Sequence, residues 1–212
     1  MTINFHCTES ARAIFAALRH TLGPKFTLGI TVLALCLGSS TSQALPPSYT
    51  PVRSKSFPIR GGSQPFAITM GADGNMWFTE QAVDKFGRIT PSGVITEFSG
   101  VNSPSSIAAG PDGNIWISSA FVSEVARVTP TVEITIFQTP STPTIIRPGN
   151  SNNLLFTEFS ANKIASITTD GAVTESPEFF QSAPTGITAG VGSLVWFLGV
   201  STNRVYETSV LQ

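Results

Sequence analysis

Beyond residue 44 the sequence contains no histidine and no cysteine: His6, His20, Cys7 and Cys36 all precede that point. Their absence excludes disulfides, thiol nucleophiles, thiolate or imidazole metal sites and every histidine acid–base mechanism from the remaining 168 residues. Charge is scarce as well, at 12 % of the chain. After residue 44, nine Lys and Arg stand against twelve Asp and Glu, without a basic run. Nucleic-acid binding draws most of its affinity from neutralised phosphates, so it is not expected. Nucleophile-elbow, phosphate-loop and dinucleotide signatures are missing too, and Gly61-Gly62-Ser63 reads as a turn. Abundant Ser and Thr lack a basic partner that would activate them.

What the first 44 residues do contain is the pattern of a targeting segment. Arg12, Arg19 and Lys25 precede an apolar run from Phe26 to Leu37, and Ser42-Gln43-Ala44 offers small residues before a cut. The run is shorter than the roughly 20 residues needed to cross a bilayer. We therefore expect a signal peptide over residues 1–44 cleaved after Ala44, a secreted or periplasmic product, and no stable membrane span after cleavage. Cys36 follows Leu33-Ala34-Leu35, but the bulky Leu35 argues against lipid attachment there.

The remainder repeats itself. Pro65, Pro104, Pro143 and Pro184 open four segments spaced 39, 39 and 41 residues apart. Three residues on stand Ile68, Ile107, Ile146 and Ile187; six on, Gly71, Gly110, Gly149 and Gly190; twelve on, Trp77, Trp116, Leu155 and Trp196; twenty-one on, Phe86, Val125, Ile164 and Val205. Within a unit, Ser106–Ala109 reads as an inner strand, Pro111-Asp112-Gly113-Asn114 as a tight hairpin and Ile115–Ser118 as a second strand. Glu124–Thr129 reads as a third. A turn such as Ser92-Gly93 or Asp170-Gly171 leads to a fourth, as in Val94–Phe98. Thr131-Val132 occupies that turn in the second unit, so its hairpin is expected to be looser.

Four short antiparallel strands in about 40 residues make one propeller blade. The fold expected is all-β: a β-propeller of four four-stranded antiparallel blades, over residues 64–103, 104–142, 143–183 and 184–212. A linker and N-terminal strand (residues 45–63) precede them. The recurring aromatic twelve residues after the proline is read as packing between blades rather than ligand stacking. Ser56–Ile59 resembles a lone fourth strand, placed to latch the last blade.

Segments such as GADGNMWFTE, KFGRITPSGVITEF, AAGPDGNIWIS and NKIASITTDGAVTE resemble the virginiamycin B lyase family, within the wider gluconolactonase-like and NHL propellers. The resemblance spans about Phe57 to Gln212. It implies descent from a seven-bladed ring that opens a cyclic depsipeptide by elimination across its ester bond, using magnesium and a histidine base. In the family pattern the base follows the opening proline, one glutamate precedes that proline, and a second lies fifteen residues after it. Here the residue after the proline is Phe66, Ser105, Thr144 or Thr185, and the residue before it is Gln64, Ser103, Thr142 or Ala183. The later position reads Glu80, Ser119, Glu158 and Gly199, so two units match.

Glu80 and Glu158 are accordingly the candidate metal residues, for magnesium or calcium if any ion is held. The competing reading makes each a solvated residue near the lysine of the next loop, Lys85 or Lys163. Gln64, Phe66, Ser105, Ser119, Thr144 and Thr185 are the candidate ligand face, and no catalytic residue is assigned. The expectation is an exported propeller module that binds a small molecule or a protein and lacks the lyase base. The alternative is a metal-dependent lyase or lactone hydrolase acting on a cyclic ester through Glu80 and Glu158; a third is a structural repeat of the cell envelope. Against a seven-bladed family, four blades form an open arc. Its end faces call for a closed four-blade ring, self-association into eight blades, or a shortened product that folds poorly.

Overall fold

The computed structural model describes residues 54–209; the expected signal peptide and its expected cleavage after Ala44 lie outside the described residues. The first sheet is β1 (Pro65–Met70), β2 (Met76–Glu80), β3 (Lys85–Ile89) and β4 (Ile95–Ser99), hydrogen-bonded in chain order. The second is β5 (Pro104–Ala109), β6 (Ile115–Ser119), β7 (Glu124–Val128) and β8 (Ile134–Gln138). β9 (Ile146–Pro148), β10 (Asn153–Glu158), β11 (Lys163–Thr168) and β12 (Val173–Glu175) make the third. The fourth has three strands, β13 (Pro184–Ala189), β14 (Leu194–Gly199) and β15 (Arg204–Ser209). Every pairing is antiparallel. The described residues form a partial β-propeller. No helix among them is long and apolar enough to cross a membrane.

The turns show why the repeat positions recur. In the first hairpin Gly71 N–H donates to the Asn75 carbonyl at 2.8 Å, and Gly110 does the same to Asn114 in the second. Asp73 and Asp112 do more than shape those turns. Each accepts the indole N–H of the following tryptophan, Trp77 or Trp116, at 3.1 Å. Each also takes the amide of Asn75 or Asn114 at 2.7 and 2.8 Å. The turn therefore fixes the ring that fills the junction. The expected looseness at Thr131-Val132 is not found. Val132 adopts the left-handed conformation (φ 69°) and donates to Thr129 O at 2.8 Å, as Gly93 (φ 94°) donates to Thr90 O. A threonine hydroxyl accepting the N–H four residues on closes both turns, and it holds the β-branched residue there.

Consecutive sheets share their cores. Trp77 and Phe86 of the first sheet are buried with Ile107, Ile115, Ile117 and Val128 of the second. Trp116 and Val125 are buried with Ile146, Leu154 and Phe156, and Leu155 and Ile164 with Ile187, Val195 and Phe197. The recurring aromatic is packing between blades, as its apolar neighbours require.

A polar rung crosses each junction beside this packing. In the first, second and fourth blades the inner strand bulges after its proline. A hydroxyl fourteen residues past that proline takes the freed N–H: Thr79 from Ala67, Ser118 from Ser106, Thr157 from Ile145, at 3.1, 3.2 and 3.1 Å. The same hydroxyls donate to the next blade, Thr79 to Ser105 O (2.7 Å), Ser118 to Thr144 O (2.7 Å) and Thr157 to Thr185 O (3.2 Å). Asp84 and Asn162 add a second rung by accepting the N–H of Ser103 and Ala183.

The two outer faces differ. In the fourth blade the rung position is Leu198, 47 % exposed, with Val205 at 65 % and Trp196 at 38 %. On the first blade Phe66, Ile68 and Met70 are all above 60 % exposed. The latch expected from Ser56–Ile59 is not formed: these residues carry no strand, and β15 is the edge of its sheet. Phe57 instead lies on the first blade. A Cβ at Gly93 would come within 2.1 Å of its ring, and one at Gly171 within 2.2 Å of Phe137. Only glycine admits that approach.

Candidate functional site

β2 and β10 end in the two candidate carboxylates. After each, a single 3-10 turn (Gln81–Val83 or Phe159–Ala161) and a left-handed residue (Asp84, φ 51°; Asn162, φ 55°) reverse the chain into the next strand. Glu80 thereby faces Lys85 across the ladder, and Glu158 faces Lys163. The solvated reading is overturned: Glu80 and Glu158 are both fully buried. The two lysines bond elsewhere, Lys85 to Glu97 at 2.9 Å and Lys163 to Glu175 at 2.7 Å. At Glu80 the residues before the opening proline fold over the turn and cover it. Gln81 N–H donates to Gln64 O and Ala82 N–H to Ser63 O.

The electrostatics of the third blade follow from this arrangement. Burial, then the negative charge of Glu175, pushes the Glu158 carboxyl up to about 8 against the pull of Lys163. Burial is the largest single influence on Glu175 and works against its ionisation, but the hydrogen bonds from Lys163, Glu158 and Ser141, with the lysine's charge, together hold that carboxyl below its ordinary value. Glu97 is likewise held low, chiefly by its hydrogen bond from Lys85.

These residues do not fit a magnesium site of the family kind. Glu80 belongs to the first sheet and Glu158 to the third, with the second between them in chain order. Among the described residues no three His, Cys, Asp or Glu gather around one point. Magnesium needs oxygen ligands in near-octahedral geometry and retains waters. Sealed carboxylates, Glu80 in one blade and Glu158 beside Glu175 in another, supply neither the ligands nor the access.

The candidate ligand face divides. Ser105 and Ser119 are buried. The Ser105 hydroxyl lies 3.3 Å from that of Ser118, and the Thr144 hydroxyl donates to Thr157 O at 2.9 Å. Thr185 is half-buried and gives its carbonyl to Thr157. Gln64 is exposed, in the left-handed conformation (φ 49°) with its carbonyl in the turn. Phe66 alone of the set lines an open concavity. That groove, about 540 Å³, runs across the inner strands β1, β5 and β9, with Ile68, Ser106, Ala108, Ile145 and Arg147 among its walls. The Arg147 guanidinium is fixed there by hydrogen bonds to Ser106 Oγ (3.2 Å) and Ile146 O (2.8 Å). Sequence reading missed Arg147; its place in the inner strand, three residues past Thr144, was the available signal.

The family model described as the virginiamycin B lyase family matches residues 49–142 and 99–210. This chain belongs to that family. Virginiamycin B lyase from Staphylococcus aureus is similar over 74 % of this chain, with 34 % identity and a TM-score of 0.68. A streptogramin B lyase structure shows 31 % identity over 74 % and a TM-score of 0.66. The chain spans only 59 % and 58 % of those two proteins. A putative gluconolactonase, at 14 % identity and a TM-score of 0.54 over 74 % of this chain and 63 % of its own, shares the fold. Among curated proteins none matches the sequence.

Proposed function

We propose that this member of the virginiamycin B lyase family is an exported module that binds a ligand in its inner groove and does not carry out lyase chemistry. The observation that carries this reading is the fate of the position after the opening proline, where the family pattern has its base. It is an apolar ring at Phe66, and the hydroxyls of Ser105 and Thr144 are engaged with neighbouring strands. Glu158 has the protonation behaviour of a general base near neutrality, but its oxygens are inaccessible and no substrate reaches them. The groove has the size of a small-molecule site, mixed apolar and polar walls and a fixed guanidinium. Such a surface suits a partly apolar ligand rich in carbonyl oxygens, and the cyclic depsipeptides handled by the family have that chemistry.

Quinupristin, with which a catalytically inactive virginiamycin B lyase was crystallised, is the probe. Calorimetry on the full chain should detect binding that Phe66→Ala with Arg147→Ala weakens by about tenfold or more. Chromatography after incubation with magnesium should return the intact macrocycle. Absence of binding contradicts the ligand reading. A ring-opened isomer of unchanged mass, or a product heavier by one water, lost in Glu80→Gln and Glu158→Gln, would establish the metal-dependent lyase or hydrolase instead.

A further inference from the structure

The faces at the two ends of the arc match each other. At each internal junction the residue after the opening proline, Ser105, Thr144 or Thr185, offers its carbonyl to the hydroxyl of Thr79, Ser118 or Thr157 on the preceding blade. The corresponding residues at the ends are Phe66 on the first blade and Leu198 on the fourth, both exposed and both apolar. The apolar contact beside it is open as well: three residues after the proline, Ile107, Ile146 and Ile187 are buried against the preceding blade, whereas Ile68 of the first blade is 62 % exposed.

A second, separate observation concerns strand edges. β3 pairs with β4 through Phe86 and Phe98, and β7 with β8 through Val125 and Phe137. Phe137 then lies over Gly171 of the following blade, and Phe57 lies over Gly93 in the same manner. Residues 56–59 thus rest on the first blade as the fourth strand of a preceding blade would. Among the described residues the blade that lacks such a strand is the fourth, where nothing pairs with the outer edge of β15. Extending the register puts Phe57 opposite Val205, which is 65 % exposed. It also puts Lys55 opposite Glu207, as Thr96 stands opposite Arg88 and Thr135 opposite Arg127.

We infer that two copies of this chain join head to tail into a closed ring, the fourth blade of each docking on the first blade of the other. In each joint Trp196 and Leu198 pack against Ile68, as Trp77 is buried with Ile107 at the first junction, and residues 55–59 of one copy add the missing strand to β15 of its partner. Added main-chain bonds and buried apolar surface both act in this joint. Two equivalent joints close the ring, so no end face remains.

The test uses the full chain with Cys7→Ser and Cys36→Ser, which removes the native thiols. Light scattering should give twice the mass of one chain, and Ile68→Glu or Leu198→Glu should return the single-chain mass with unchanged strand signal in circular dichroism. In an oxidised mixture of Lys55→Cys and Glu207→Cys proteins, the mixed disulfide should exceed both homodisulfides. The double variant should run as a covalent dimer. A single-chain mass for the parent protein overturns the inference, as does an intrachain disulfide in the double variant, which would mean that four blades close alone. Predominant homodisulfides would contradict the head-to-tail joint, and a covalent ladder beyond two chains would contradict closure.

Discussion

The junction between the second and third blades and the outer face of the fourth are built from the same repeat position by position, yet only one of them is finished. At the junction Trp116 is fully buried, its indole N–H is held by Asp112, and the Ser118 hydroxyl bridges two blades. On the outer face Trp196 is 38 % exposed and Leu198 takes the bridging position. The difference teaches that a propeller blade is not a unit of stability by itself. Its buried ring, its bulge and its rung each need the neighbour to be completed.

Truncating the two tryptophans gives the largest contrast. Measured in the single chain, as the Leu198→Glu protein, Trp116→Ala should cost about 3–5 kcal/mol in chemical denaturation and Trp196→Ala about 1–2 kcal/mol, because the second ring is already partly in water there. Equal losses would mean that the outer face is covered in the single chain.

Glu158 probes the interior by pH. Its folded-state value of about 8 lies above the ordinary 4.5. Below the ordinary value both states hold the proton and nothing is lost. Between the two values the folded state alone retains it, so stability falls as pH rises and levels off above the folded value. Glu158→Gln removes that slope, and its advantage over the parent should grow to about 2 kcal/mol between pH 5 and pH 9. A pH-independent difference in melting would contradict the burial argument.

A smaller effect separates the rung from its substitute. Ser118→Ala leaves the Ser106 N–H and the Thr144 carbonyl without this partner and should cost about 1–2 kcal/mol. Leu198→Ala, on the exposed face, should stay within about 0.5 kcal/mol in the single chain.

Much of this was legible before any coordinates. The proline, glycine and aromatic positions recur at fixed spacing because every blade solves the same packing problem, and Asp112-Gly113 announces its hairpin by local backbone chemistry. The burial of Glu80 and Glu158 was not legible. At Glu80 it depends on Ser63 and Gln64 folding over the turn, a contact that strand alternation does not encode. The rung was missed for a different reason. Thr79, Ser118 and Thr157 recur as plainly as the tryptophans, but small hydroxyl residues at a strand end look like ordinary exposed positions. The Thr131-Val132 turn misled because a hydroxyl can hold a β-branched residue where glycine is usual. Ser56–Ile59 was recognised as strand-like, but which sheet it adjoins is a tertiary matter.

Hydrogen exchange across a dilution series tests the central claim, finished junctions within and unfinished faces at the ends. Amides of β6 and β10 should be protected to the same degree at every concentration, while those of β1 and β15 should gain protection as concentration rises. Equal, concentration-independent protection across all four sheets would contradict it.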